Sequence, residues 1–127
     1  MSIRLSEKAF VDAVLEALRG VPQQFADWLE NVAVQACTHV PDWIVQEIGD
    51  ESARDELLGY YVGTPITEQS VEGGAISPHC VYIFQRNLES MCDDRDELLE
   101  EIRITVLHEI GHHMGLDEDD LARMGLD

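Results

Sequence analysis

Residues 94–118 read DRDELLEEIRITVLHEIGHHMGLDE, and the fold and chemistry of the chain turn on this stretch. Leu98, Leu99, Ile102, Val106 and Ile110 recur at helical spacing, which predicts one long helix with a continuous apolar stripe to bury. The helix is expected to begin near Arg95, where Asp94 can cap the first turn and Asp96 and Glu97 suit the positive end of the helix dipole. Gly115 stands where a helix commonly ends in a left-handed conformation. Inside this helix lies a single H-E-x-x-H, His108-Glu109-Ile110-Gly111-His112. Positions i and i+4 share a helix face, so both imidazoles can reach one metal ion while Glu109 points to the side where a metal-bound water would sit. That is the machinery of a zinc-dependent hydrolase. His108 and His112 are therefore candidate metal ligands and Glu109 the candidate catalytic base.

A zinc site that does chemistry usually has three protein ligands and keeps one position open. In the extended pattern H-E-x-x-H-x-x-G-x-x-H the third ligand falls where this chain has Glu118, after the turn at Gly115, so Glu118 is the expected third ligand. Asp117 is the alternative, because a one-residue change in the turn would exchange the two. Asp119 and Asp120 read as caps for the segment that follows. An acid in the third position lowers the net charge on the metal and makes its bound water less acidic than an all-histidine site would. His113 is offset from His112 by about 100° around a helix of 3.6 residues per turn, so it is expected to support the site or pack in the core rather than bind metal. Tyr60, Tyr61 and His79 are candidates to stabilise an oxyanion, although a tyrosine in a small core more often packs. Met124 lies too close to the helix to form a metzincin Met-turn.

The ending His108 to Leu121, HEIGHHMGLDEDDL, closely resembles that of the minimal zincin family of short bacterial zinc metallopeptidases. Phe25 to Val34 resembles that family's amphipathic helix leading into its first strand, Leu57 to Thr67 its L-L-G-x-Y-x-G-x-P-L-T segment, and Pro78 to Leu88 its P-x-x-I-x-I-Y strand. The resemblance implies a compact α+β zincin: a small β-sheet packed on helices, the H-E-x-x-H motif on a long C-terminal helix, two histidines, an acidic third ligand and a glutamate base. The family pattern carries Asp at the position of Glu118.

The expected function is that of a zinc-dependent metallopeptidase in which Glu109 assists attack of a zinc-bound water on a peptide carbonyl. The expected cofactor is Zn2+, and the expected partner is a peptide or unfolded protein segment laid out as an added strand, with Gly73 to Ser77 as the candidate edge. The alternative is a zinc-binding interaction or regulatory module on the same frame without significant turnover.

Composition bounds these readings. With 127 residues, 45% of them hydrophobic, and no linker or repeat, residues 1–127 are expected to form a single domain. There are 26 acidic against 8 basic residues, a net charge of −18, and residues 93–127 alone carry 12 acids and 3 bases. Such a field repels nucleic acid and anionic membrane surfaces, and concentrates cations, including basic peptide segments. The opening residues lack the apolar core of a signal peptide and no apolar run is long enough to span a bilayer, so a cytoplasmic protein is expected. Cys37, Cys80 and Cys92 are odd in number and lack C-x-x-C spacing, which argues for reduced thiols over a disulfide framework or structural zinc knot. A Cys80–His79 metal pair is disfavoured because neighbours on a strand point to opposite faces.

Elsewhere, Phe10, Val11, Val14, Leu15 and Leu18 mark an amphipathic helix over Glu7 to Leu18, ended by Gly20 and Pro22. A short helix is expected from Pro22 to Glu30, a strand from Asn31 to Thr38, a turn or short helix from Trp43 to Ile48, short strands and a loop within Gly59 to Ser77, and a strand at Val81 to Phe84. Ala53 to Leu58 is ambiguous. A short terminal helix follows the motif helix, and the helices are expected on one side of the sheet.

Overall fold

The computed structural model describes residues 1–30, 32–63 and 79–126. Helix α1, Glu7–Arg19, starts at Ser6, whose hydroxyl accepts the Ala9 N–H at 3.1 Å. It buries Phe10, Ala13, Val14 and Ala17, so its inward stripe combines two bulky side chains with two small ones. Val11 and Leu15, on the apolar list in the sequence, remain about half exposed at 46% and 50%. A 3-10 helix at Gln23–Leu29 then carries Phe25 and Trp28, whose rings meet edge to face at 5.0 Å.

Three strands form the sheet in the order β1-β3-β2. Strand β1, Ala33–Cys37, runs parallel to β3, His79–Phe84, and β2, Gly59–Gly63, runs antiparallel to β3. Register places Tyr61 opposite Val81 and Gly63 opposite His79. Because side chains alternate along a strand, Val34, Ala36, Tyr61, Val81 and Ile83 pack with α1 and the long helix, while Cys37, Tyr60, Tyr82 and Phe84 pack with Val40, Ile44 and Val45. Those last two belong to α2, Asp42–Ile48. The sheet is therefore covered on both faces, not on one: α2 supplies a second apolar layer too short to announce itself by periodicity.

A four-residue helix α3, Ala53–Glu56, resolves the ambiguous stretch before β2. The strand resemblance extending to Leu88 ends in fact at Phe84, where α4, Gln85–Ser90, begins at once. Gln85 and Glu89 of α4 are buried polar residues, satisfied by the N-terminal segment: Gln85 donates to the Leu5 carbonyl at 2.9 Å, and the Leu5 N–H donates to Glu89 at 2.8 Å. The long helix α5 is Arg95–His113, and α6 is Glu118–Arg123. The fold is α+β, a small sheet packed on helices with the motif on a long helix near the C-terminus. Among the described residues no helix is long and apolar enough to cross a membrane. The expected substrate edge at Gly73 to Ser77 lies outside the described residues.

Candidate metal centre

Helix α5 is held on two faces. Leu98, Ile102, Val106 and Ile110 join the core with α1 and the sheet, while Leu107 joins Phe25, Leu121 and Leu126 on another side. At roughly 1.5–3 kcal/mol per fully buried aliphatic side chain, these residues fix the helix firmly. The Asp94 carboxylate accepts the Glu97 N–H at 2.9 Å, so the helix begins as its capping residue predicts. Between the two buried faces runs the stripe that carries His108 and His112.

At its far end α5 turns through Gly115, whose φ of +93° is left-handed. The Gly115 N–H donates to the His112 carbonyl and the Leu116 N–H to the Gly111 carbonyl, each at 3.0 Å, which is the Schellman pattern. The turn sends the chain back alongside α5 and starts α6. Close packing of α6 depends on Gly111: a Cβ there would lie 2.5 Å from a Leu121 methyl and 3.3 Å from the Trp28 ring. The glycine of H-E-I-G-H is thus what lets Leu121, and with it Glu118, approach the histidines.

Three ligand atoms converge as a result. His108 Nε2 and His112 Nε2 are 3.0 Å apart, and Glu118 Oε1 lies 3.1 Å from the first and 2.6 Å from the second. The other nitrogen of each ring is engaged by backbone: His108 Nδ1–H donates to the Leu126 carbonyl at 2.8 Å, and His112 Nδ1–H to the Leu116 carbonyl at 3.0 Å. A carbonyl can only accept, so in the neutral imidazoles each Nε2 is a bare lone pair. Two lone pairs and a carboxylate oxygen then face one another, an arrangement that a bound cation relieves. Burial disfavours the His108 imidazolium, but the Leu126 carbonyl and Glu118 outweigh it and hold its pKa above the usual histidine value. When the rings also carry a proton on Nε2, hydrogen bonding from His112 and His108 holds Glu118 below the usual carboxylate range. The nitrogen and oxygen donors, fixed ring orientation and partly exposed setting fit a zinc ion with one position left open.

Asp117 does not join this group. Its carboxylate accepts the Asp120 N–H at 2.8 Å while the Asp120 carboxylate accepts the Asp117 N–H at 3.1 Å, a reciprocal cap on α6. The pair that caps the helix is therefore Asp117 with Asp120, not Asp119 with Asp120.

Glu109 sits deeper, where α5 meets β2, with the Tyr61 backbone N–H beside its carboxylate. Burial pushes its carboxyl above the usual carboxylate range, against the pull of both histidines and of that N–H. Tyr61, His79 and His113 form a separate cluster: the Tyr61 ring stacks on His113 at 4.0 Å, and His79 meets His113 at 5.4 Å. His113 is exposed rather than in the core. Tyr60 packs on the other face of the sheet, with Val40, Ile44 and Val45. Cys80 likewise faces Tyr82 and Cys37 and does not pair with His79. The cysteines are free thiols, and burial raises the pKa of each.

The model of the zincin-like metallopeptidases matches residues 29–126, from the end of the 3-10 helix to the turn that holds His108. The chain belongs to the zincin-like metallopeptidase family. No curated protein matches it. In this zincin-like chain the match spans the whole sheet, the motif helix and Glu118, so it covers every group of the convergent cluster. Sequence reasoning missed the Leu116 and Leu126 carbonyls, which are backbone atoms and have no signature. It also passed over Gly111, whose signal was available: a glycine inside a predicted helix usually has a packing reason.

Proposed function

We propose that the protein is a zinc-dependent metallopeptidase that hydrolyses peptide bonds, with His108, His112 and Glu118 as the zinc ligands and Glu109 as the base. The observation that carries this reading is the convergence of the three ligand atoms, all within 4.8 Å of one another, beside a half-buried glutamate. A bound zinc ion would supply Lewis-acid polarisation of water and of a substrate carbonyl.

The chain's own residues supply the rest. The carbonyls of Leu116 and Leu126 fix the imidazole tautomers and aim both Nε2 atoms at one point. Glu109, raised in pKa by burial, is suited to take a proton from the attacking water and pass it to the leaving nitrogen. An extended peptide is the substrate form the reading favours, since backbone pairing gives affinity without deep pockets.

The test combines metal analysis with a peptide digest. Glu109→Gln keeps the side-chain size but cannot accept the proton, so the variant should retain one zinc per chain while cleavage falls at least about a hundredfold. Zinc bound by both proteins with no cleavage by the parent would leave a metal-binding module instead. Absence of zinc from the parent protein would remove both readings.

A further inference from the structure

We propose that the cleft running from His108 and Glu109 back along α5 is a substrate side-chain subsite that selects lysine or arginine beside the scissile bond. This rests on the peptidase reading above and adds the class of substrate. The cleft has a volume of about 340 Å³ and lies between α5 and the segment from Glu56 to Gly59. On α5 it is lined at positions 101, 104, 105, 108 and 109, which is one helical stripe continuous with the first ligand and the proposed base. A side chain adjacent to a carbonyl held at His108 has this cleft as its neighbour.

The lining states what it would take. The middle of the cleft is apolar: Leu57, Leu58 and Ile104 form walls, and Met91 contributes a side chain left 52% exposed to water. The far end is acidic, with Glu56 and Glu101, and among the described residues no lysine or arginine lines the cleft. Neither carboxylate is in an ion pair among the described residues. Glu101 is seven residues from His108, about 10 Å along the helix axis at 1.5 Å per residue. A long side chain with an apolar stem and a cationic tip matches that order: methylenes against the walls, the charged head at the carboxylates. A glutamate would be repelled there. A purely apolar side chain would cover the walls but strip water from two carboxylates without replacing it.

Recognition of this kind differs from attraction by the overall negative charge. The long-range field acts on a basic residue anywhere in the peptide and is screened beyond about 8 Å at 0.15 M salt. A contact in the cleft acts at one position relative to the cleaved bond and survives salt better.

Two measurements test the proposal. The first digests peptides carrying a single Lys, Arg, norleucine or Glu at each position in turn, with zinc-loaded parent protein and the Glu56→Gln/Glu101→Gln double variant. Lys and Arg should concentrate at one position next to the scissile bond, and the Lys-to-norleucine cleavage ratio should fall at least about tenfold in the variant. The second uses metal-free protein and follows the methyl resonances of Leu57, Leu58, Met91 and Ile104 by NMR during titration with N-acetyl-arginine amide or N-acetyl-norleucine amide. The arginine amide should perturb those methyls at roughly tenfold lower concentration than norleucine, and the variant should lose the difference. Cleavage with no positional preference for Lys or Arg, or a preference the variant keeps, would overturn the subsite and leave the peptidase reading standing. Equal responses to the two amides, or shifts away from the cleft, would overturn it as well. Parent protein that cleaves nothing but shows the arginine response would sink the peptidase reading and support the subsite.

Discussion

Helix α5 and its neighbours hold two imidazole clusters of nearly the same composition, and they are arranged for different ends. In one, His108 and His112 stand with Glu118; in the other, His79 and His113 stand with Tyr61. The first pair has both Nδ1–H groups on carbonyls and both Nε2 atoms aimed at one carboxylate. The second is a matter of ring faces: Tyr61 and His113 are nearly parallel at 17°, and no acid joins them in a convergent set among the described residues. His79 Nδ1 is buried with no hydrogen-bond partner among the described residues. Histidines become a metal site when the second nitrogen of each ring is committed elsewhere and an anion completes the set; proximity alone gives packing.

The largest effect that can break this contrast is loss of a histidine. His108→Ala or His112→Ala should abolish tight zinc binding, whereas His79→Ala and His113→Ala should leave one zinc per chain, as read by metal analysis after dialysis. Zinc retained by His112→Ala, or lost from His113→Ala, would merge the clusters and overturn the distinction.

Next in size is the separation of Glu118 from Asp117. Glu118→Ala should weaken zinc binding on the order of ten- to a hundredfold, since one anionic donor is lost while both oriented imidazoles remain. Asp117→Ala should mainly cost stability, about 1 kcal/mol for loss of a helix cap, visible as a lowered Tm of the metal-free protein. Equal weakening of zinc by the two substitutions would move the third ligand into the turn. Gly111→Ala tests the same geometry from behind: a methyl 2.5 Å from Leu121 forces α6 outward, so stability should drop by about 1–3 kcal/mol and zinc affinity with it. Unchanged zinc affinity there would mean that Glu118 reaches the histidines without close packing of Leu121.

How much of this could be read beforehand depends on where each signal is written. The motif helix was legible because Leu98, Ile102, Val106 and Ile110 keep helical spacing and because Asp94 and Gly115 punctuate it. The convergence of Glu118 with the histidines was legible because a left-handed glycine and a fixed offset return the chain to the same place. Helix α4 was not, since Gln85 and Glu89 are polar at its buried positions and are satisfied by backbone around Leu5, far away in sequence. The second buried face of α5 was hidden for a related reason: Leu107 and Gly111 pack on residues from both ends of the chain, Phe25 and Trp28 on one side and Leu121 and Leu126 on the other. The cover of α2 over the outer sheet face rests on Ile44 and Val45, two residues in a seven-residue helix, too few to set a period.

The smallest effect sharpens the comparison from the side of the aromatic cluster. If the Tyr61–His113 stack is packing, its removal should cost what such contacts usually cost, about 0.5–1.5 kcal/mol, and leave zinc binding untouched. Tyr61 nevertheless lies on the strand beside Glu109, so loosening the stack gives that strand more freedom at one edge of the site. His113→Phe keeps a flat ring against Tyr61, whereas His113→Ala removes it. The expected outcome is therefore graded: parent-like stability and kcat for His113→Phe, and for His113→Ala a lower Tm with kcat reduced only a few fold and zinc content unchanged. A drop in zinc content in either variant would make the two clusters one. An equal loss of kcat in both would show that the imidazole nitrogen of His113, not its ring face, serves the reaction.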